Sequence, residues 1–174
     1  HTGNMTGTTG NDEFDGGAES SASEGTVDGE GLYGKANGFS GVTAVSGGGV
    51  EDRAWRYAAA TDGDNYDFRA ASAILTEADN NFTQADGFDK VWATADGVDT
   101  ATMHGSDGND KFYGRSDNSW IEGTIDAEEF YAMANGFSEV TADAEGGVED
   151  KAWLYASADD GDHYEYRPAS AELS

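Results

Sequence analysis

The sequence predicts an all-β repeat protein built as a β-solenoid, a stack resembling a parallel β-helix, and three observations carry that expectation. Shifted by 98 residues, positions 1–76 align with 99–174 without a gap and share about 42 identities in 76, the kind of internal duplication that repeat architectures produce. Gly-Phe pairs begin at Gly38, Gly87 and Gly136, 49 residues apart, so two units of about 49 residues make up each 98-residue repeat. The recurring segments alternate small with large or polar with apolar residues between Gly, Asp and Asn turns, the period-2 signature of short strands. Residues 1–98 are then a first repeat pair and 99–174 a second, truncated one, within one continuous array. Stacked coils, about two per unit, would bury narrow rows of Val, Ala and aromatic side chains and need no single bulky core. Tandem β-sandwich modules of about 98 residues are the alternative.

Taken along the chain, the first element is a Gly/Asn/Asp turn running into an aromatic, Gly10-Asn11-Asp12-Glu13-Phe14, repeated as Gly108-Asn109-Asp110-Lys111-Phe112. Phe14, Phe68, Phe112 and Tyr166 form a less regular series, spaced 54, 44 and 54, which separates odd units from even ones. Next comes Gly-Phe with Val and Ala at alternate positions, as in Gly38-Phe39-Ser40-Gly41-Val42-Thr43-Ala44 and Gly87-Phe88-Asp89-Lys90-Val91-Trp92-Ala93. An acidic residue then opens Asp52-Arg53-Ala54-Trp55-Arg56-Tyr57 and Asp150-Lys151-Ala152-Trp153-Leu154-Tyr155. Trp55, Trp153, Tyr57, Tyr155, Phe39 and Phe137 are the expected core anchors. One segment reads as a helix: Asp126 to Asn135 has Asp126 as N-cap, Glu129 at the capping-box position and Gly136 after its end. Its counterpart, Asp28 to Gly34, carries three glycines, each costing about 1 kcal/mol inside a helix, so a short strand or loop competes with the helix there.

Composition narrows the function. Lys and Arg number 9 against 35 Asp and Glu, a net charge of −26. That excludes nucleic acid, whose phosphates need basic side chains to displace counterions, and it excludes an anionic membrane surface. No stretch approaches the roughly 20 apolar residues of a membrane span. Val, Ile, Leu and Phe together are 23 of 174 residues, a poverty usually associated with disorder. The 4 Trp, 8 Tyr and 8 Phe, many of them in repeat register, argue instead for a thin core used repeatedly. Without cysteine there is neither a disulfide framework nor a thiolate metal site.

Two resemblances follow from these motifs. Gly7 to Gly17 and Gly105 to Gly114 are similar to the glycine- and aspartate-rich nonapeptide of haemolysin-type calcium-binding repeats, which implies a β-roll with calcium between turns. Each motif stands once per 98 residues, without the adjacent copy that completes the ion cage in that family. Over nearly the whole chain, strings such as Phe130-Tyr131, Gly136-Phe137, Val140-Thr141-Ala142 and Asp150 to Tyr155 resemble the long secreted acidic repeat proteins of planctomycete-type bacteria. That resemblance implies an extracellular or cell-surface location.

Calcium is the most plausible site chemistry, because the ion takes six to eight oxygen ligands and acidic turns supply them densely. Candidate ligands are Asn11, Asp12, Asn109 and Asp110 in the nonapeptide-like turns, with Asp62 and Asp64, and Asp160 and Asp162, in a second equivalent pair of turns. The competing reading is that these side chains only make Asx-turns. His104 aligns with Thr6 and His163 with Asn65, so neither imidazole belongs to the repeat, and both read as surface substitutions. No nucleophile elbow, phosphate loop, dinucleotide fingerprint or His-Glu-x-x-His occurs. Asn4 and Asn81 begin two N-glycosylation sequons. The expected function is therefore a non-catalytic structural segment of an extracellular fibre, filament or adhesin stalk, calcium-stabilised, whose partners are further repeats or identical subunits. A carbohydrate-binding surface module using Trp92 or Trp120 on glycans, and a polysaccharide-degrading solenoid enzyme, are the alternatives.

Overall fold

In a computed structural model of the chain, the residues described are 1–155 apart from 18–19, 28–29, 50, 60–62, 71 and 97. Among them there is no helix, and the strands build a β-solenoid of about three turns. After β1 (Thr2–Thr6), one five-strand pattern recurs three times. The first copy is β2 (Glu13–Gly17), β3 (Ser20–Val27), β4 (Glu30–Asn37), β5 (Gly41–Val45) and β6 (Arg53–Tyr57). The second is β7 (Asn65–Arg69), β8 (Ser72–Thr76), β9 (Phe82–Asp86), β10 (Lys90–Thr94) and β11 (Thr100–His104). The third is β12 (Lys111–Arg115), β13 (Asn118–Ile125), β14 (Glu128–Asn135), β15 (Glu139–Asp143) and β16 (Lys151–Tyr155).

Within each pattern the first three strands form an antiparallel meander on one sheet, the fourth crosses to the opposite sheet and the fifth returns. Strands of successive turns pair in parallel, as in β2 with β6 and β6 with β10. The next meander starts after one further crossing, so successive meanders fall on opposite sheets. The nine-stranded sheet runs β16-β12-β13-β14-β10-β6-β2-β3-β4 and the seven-stranded sheet β1-β5-β9-β8-β7-β11-β15. Two units are needed to return to the same sheet, which is why 98 residues is the stronger period and 49 the weaker. Each unit makes about one turn, not the expected two, because the fold-back of the meander consumes the length of a second coil.

The helix expected from Asp126 to Asn135 does not form. Asp126 and Ala127 have φ of 51° and 71° and make the two-residue loop of a hairpin in which Ile125 pairs with Glu128. Two positive φ values in succession are the mark of a type I′ turn, whose twist suits antiparallel strands. The capping residues are present, but the ladder offered by β13 keeps the chain extended. Gly136 then serves as a solenoid corner, as do Gly38 and Gly87, with φ between 68° and 76°. A left-handed corner of this kind favours glycine.

The core lies in narrow rows between the sheets. Phe14 meets Phe88, Tyr66 meets Phe137 and Phe68 meets Phe130, with ring centroids 5.7–6.2 Å apart, and Ala and Val fill much of the rest. Tyr66, not Phe68, takes the strand position held by Phe14 and Phe112 in the other units. Among the expected anchors Phe137 is buried, but Phe39 is 39% exposed at its corner. Trp55, Trp153, Tyr57 and Tyr155 point outward, since Ala54 and Arg56 occupy the inward positions of β6. Period-2 alternation permits either set inside; the narrow gap between the sheets selects the smaller one at Ala54.

Arg56 is the exception. It is fully buried where the other units carry Met103 and Leu154. Its Nη1 donates to the carbonyl and to the hydroxyl of Thr83, the latter at 3.0 Å, and its guanidinium lies 5.6 Å from the Phe14 ring centroid. Nε and Nη2 have no partner, and burial pushes its pKa down to about 10. A buried charge without a counter-ion costs more than it returns. Arg56→Met is expected to stabilise the fold by about 1–4 kcal/mol, raising Tm by about 2–4 °C per kcal/mol, in calorimetry at pH 7; a lower Tm would contradict this reading of the core.

Candidate functional site

Each unit carries one pair of aspartates at the corners that lead into two parallel neighbours: Asp12 before β2 with Asp52 before β6, Asp64 before β7 with Asp99 before β11, and Asp110 before β12 with Asp150 before β16. In all three pairs the backbone N–H of the first aspartate donates to Oδ1 of the second, at 2.8, 2.8 and 2.9 Å. The carbonyl of the first accepts in turn from the residue after the second, Arg53, Thr100 and Lys151, at 2.8–3.0 Å. One turn of the solenoid is thereby pinned to the next at its corner. Asp52 extends the series by donating its own N–H to Oδ2 of Asp89 at 2.8 Å.

The first carboxylates of the pairs fold back onto loop N–H groups. Asp12 accepts from the backbone and hydroxyl of Thr8 and from Gly47 N–H, and Asp110 accepts from the backbone and hydroxyl of Ser106. A side chain at Gly25 or Gly123 would run into these carboxylates, which accounts for glycine at both positions. Asp64 accepts from Ala78 N–H at 2.9 Å. Oδ2 of Asp64 and Oδ2 of Asp99 are buried without a hydrogen-bond partner. Burial raises the carboxyls of Asp52, Asp64 and Asp110 above their ordinary 3.8, and the negative partners Asp12, Asp99 and Asp150 push in the same direction.

Of the calcium candidates, Asp12, Asp64 and Asp110 therefore sit at three equivalent corners. Asn11 and Asn109 lie beside them on the surface, where Oδ1 of Asn109 accepts from the N–H groups of Val148 and Glu149. Asp62, Asp160 and Asp162, like His163, lie outside the described residues. Sequence reasoning had singled out recurring acids at Asp52 and Asp150 without their role, and it missed Asp99; the signal was an aspartate immediately before each of these strands. Asn4 is exposed on β1, whereas Asn81 occupies the β8–β9 turn with its Nδ2 on Asp79 at 2.8 Å and the sequon's Thr83 buried.

His104 is more enclosed than a surface substitution would be. Its Nε2 lies 3.2 Å from Arg69 Nη2 and its Nδ1 2.9 Å from Glu145 Oε1. His104, Asp143 and Glu145 bring ligand-type atoms within 4.8 Å of one another, and Arg69, 3.1 Å from Glu145 and 3.4 Å from Asp67, already pairs with one of these carboxylates.

The outer face of the nine-stranded sheet holds the aromatic residues considered for glycans. Trp153, Tyr113 and Trp120 stack at 4.7 and 4.6 Å with planes within 13°, and Trp55 stacks on Trp92 at 5.2 Å and 11°. Tyr131 leans on Trp92 at 5.9 Å, and Arg115 lies over Trp120 at 5.0 Å. At such separations the rings cover one another's faces and turn their edges to solvent, whereas a sugar stacks on an open face.

The raised carboxyls set the pH dependence. A group whose pKa is higher in the fold than in the unfolded chain binds protons preferentially in the fold, so its penalty is present at neutral pH and fades as pH falls through the raised value. Tm is expected to rise as pH falls from 7 toward the ordinary carboxyl value of 3.8, by about 2–4 °C per kcal/mol gained, and Asp52→Asn should flatten that rise. Asp52→Ala, which orphans Asp12 N–H, should cost about 1–3 kcal/mol; a wild-type Tm that falls steadily below pH 7 would contradict the assignment. Compared with known protein families, with curated proteins and with solved structures, the chain matches none.

Proposed function

We propose that this chain is a non-catalytic structural segment of an extracellular fibre, filament or adhesin stalk, neighboured along its axis by further repeats or identical subunits. The observation that carries this reading is the corner pairing, repeated once per unit, which ties each turn to the next and can continue indefinitely. The first turn supports it too, since the space between β1 and β4 opens as a hollow of about 480 Å³ edged by Met5, Ala36 and Phe39. A further turn would cover that apolar mouth. The hydrated Asp and Glu surface suits a molecule that must stay extended and soluble.

Calcium stabilisation belongs to the same proposal, and Asp64 and Asp99 favour it. Two buried carboxylates, each with an unsatisfied oxygen, repel one another, and a hard divalent cation accepts oxygen ligands of this type. The Asp12 and Asp110 carboxylates are already engaged by N–H and O–H donors and have less to offer an ion.

Pulling single molecules by their ends should give successive force peaks separated by about 17 nm, the extended length of a unit at roughly 3.4 Å per residue; extension without resistance would sink the structural reading. In thermal unfolding, millimolar CaCl2 should raise Tm beyond NaCl of equal ionic strength, and Asp99→Asn should abolish the difference. Equal responses to the two salts would remove calcium from the proposal.

A further inference from the structure

All four tryptophans of the chain, Trp55, Trp92, Trp120 and Trp153, lie on the outer face of the nine-stranded sheet, while no Trp or Tyr stands on the outer face of the seven-stranded sheet among the described residues. Register places Trp153, Tyr113, Trp120, Met133, Trp92 and Trp55 in one row across six neighbouring strands. The same six strands direct Arg53, Lys90, Lys111, Arg115 and Lys151 outward, five of the nine basic residues in the chain. Facing them are Glu122 and Glu129, with Glu51 at the corner between Arg53 and Lys90. On a molecule of charge −26, these six strands carry more cations than carboxylates outward, whereas Glu13, Asp15 and Glu24 stand outward on the adjoining β2 and β3. Trp, Tyr, Met and Arg are also the residues enriched at protein interfaces.

We infer that this aromatic, cationic face docks the seven-stranded face of a second copy of the chain. The outward ring edges carry the positive side of the aromatic quadrupole and, with the flanking ammonium and guanidinium groups, select a partner rich in carboxylates. The seven-stranded face presents Asp67, Asp86, Glu139 and Asp143 against Arg69 and His104. Both surfaces are β-sheets with the same strand spacing of about 4.8 Å, so charged rows can run in step over several strands. The contact joins two different faces, so it does not close on itself, and it produces side-by-side stacking of solenoids. Net repulsion between copies acts over a Debye length, about 8 Å at 0.15 M salt, so association strengthens as salt screens that repulsion and contact pairs persist.

The inference adds lateral contacts to the axial array proposed above, and the two fail separately, since force resistance belongs to single molecules. Sedimentation velocity of the whole chain at increasing concentration, at low NaCl and at 0.3 M NaCl (~5–6 Å Debye length), is expected to show association that grows with salt and shifts the Trp emission. Arg115→Glu with Lys151→Glu, on exposed positions, should weaken association by about tenfold or more. Glu139→Lys with Asp143→Lys should do the same, and the two variants mixed should associate again. A monomer under every condition overturns the proposal, as does association that survives either variant or a mixture that fails to re-form.

Discussion

Everything in this molecule depends on aspartates that use their backbone and their carboxylate at once. At three successive corners an aspartate N–H reaches the carboxylate of the next turn while its carbonyl takes the first N–H of the neighbouring strand. Four backbone and side-chain groups thus settle which turn stacks on which. The rows of Ala, Val and Phe between the sheets fix distance, but they are too alike to fix register alone. A polar corner, by contrast, loses its partners on a one-residue slip, and an orphaned buried N–H costs about 1–3 kcal/mol.

The same device places part of the acidic charge inside the fold. Pairing two acids at each corner of a stacked fold places like charges close together and partly out of water, and burial then raises one carboxyl of each pair. The chain tolerates this because backbone N–H groups donate to these carboxylates, and hydrogen bonds to an ionised acceptor are strong ones. Stability accordingly couples to protons and cations, through the same residues that hold the turns together. Arg56 has no such justification: it is a lone cation in a core where the equivalent strand of the second unit places the buried Met103.

Much of the architecture was legible. The Gly-Phe pairs at Gly38, Gly87 and Gly136 are the left-handed corners after each meander, and the difference between odd and even units is the alternation of meanders between sheets. What was not legible had physical causes. A capped helix and a type I′ hairpin use overlapping residues, so Asp126, Glu129 and Gly136 fit both until β13 is there to pair. Alternation in β6 reveals two faces without naming the inner one, so Trp55 and Tyr57 were placed inside. The acids Asp12, Asp64 and Asp110 were recognised as special, but their partners lie 35 to 40 residues away and emerge only when the turns stack.

The most direct measurement is amide hydrogen exchange, residue by residue, on the corner aspartates. If Asp12, Asp52, Asp64 and Asp110 donate into carboxylates of the adjoining turn, their N–H groups will be protected as well as those inside β6 and β10, although they sit in turns. Exchange at the rate of an open loop at these four positions, with the strands still protected, would show that the turns are held together in some other way.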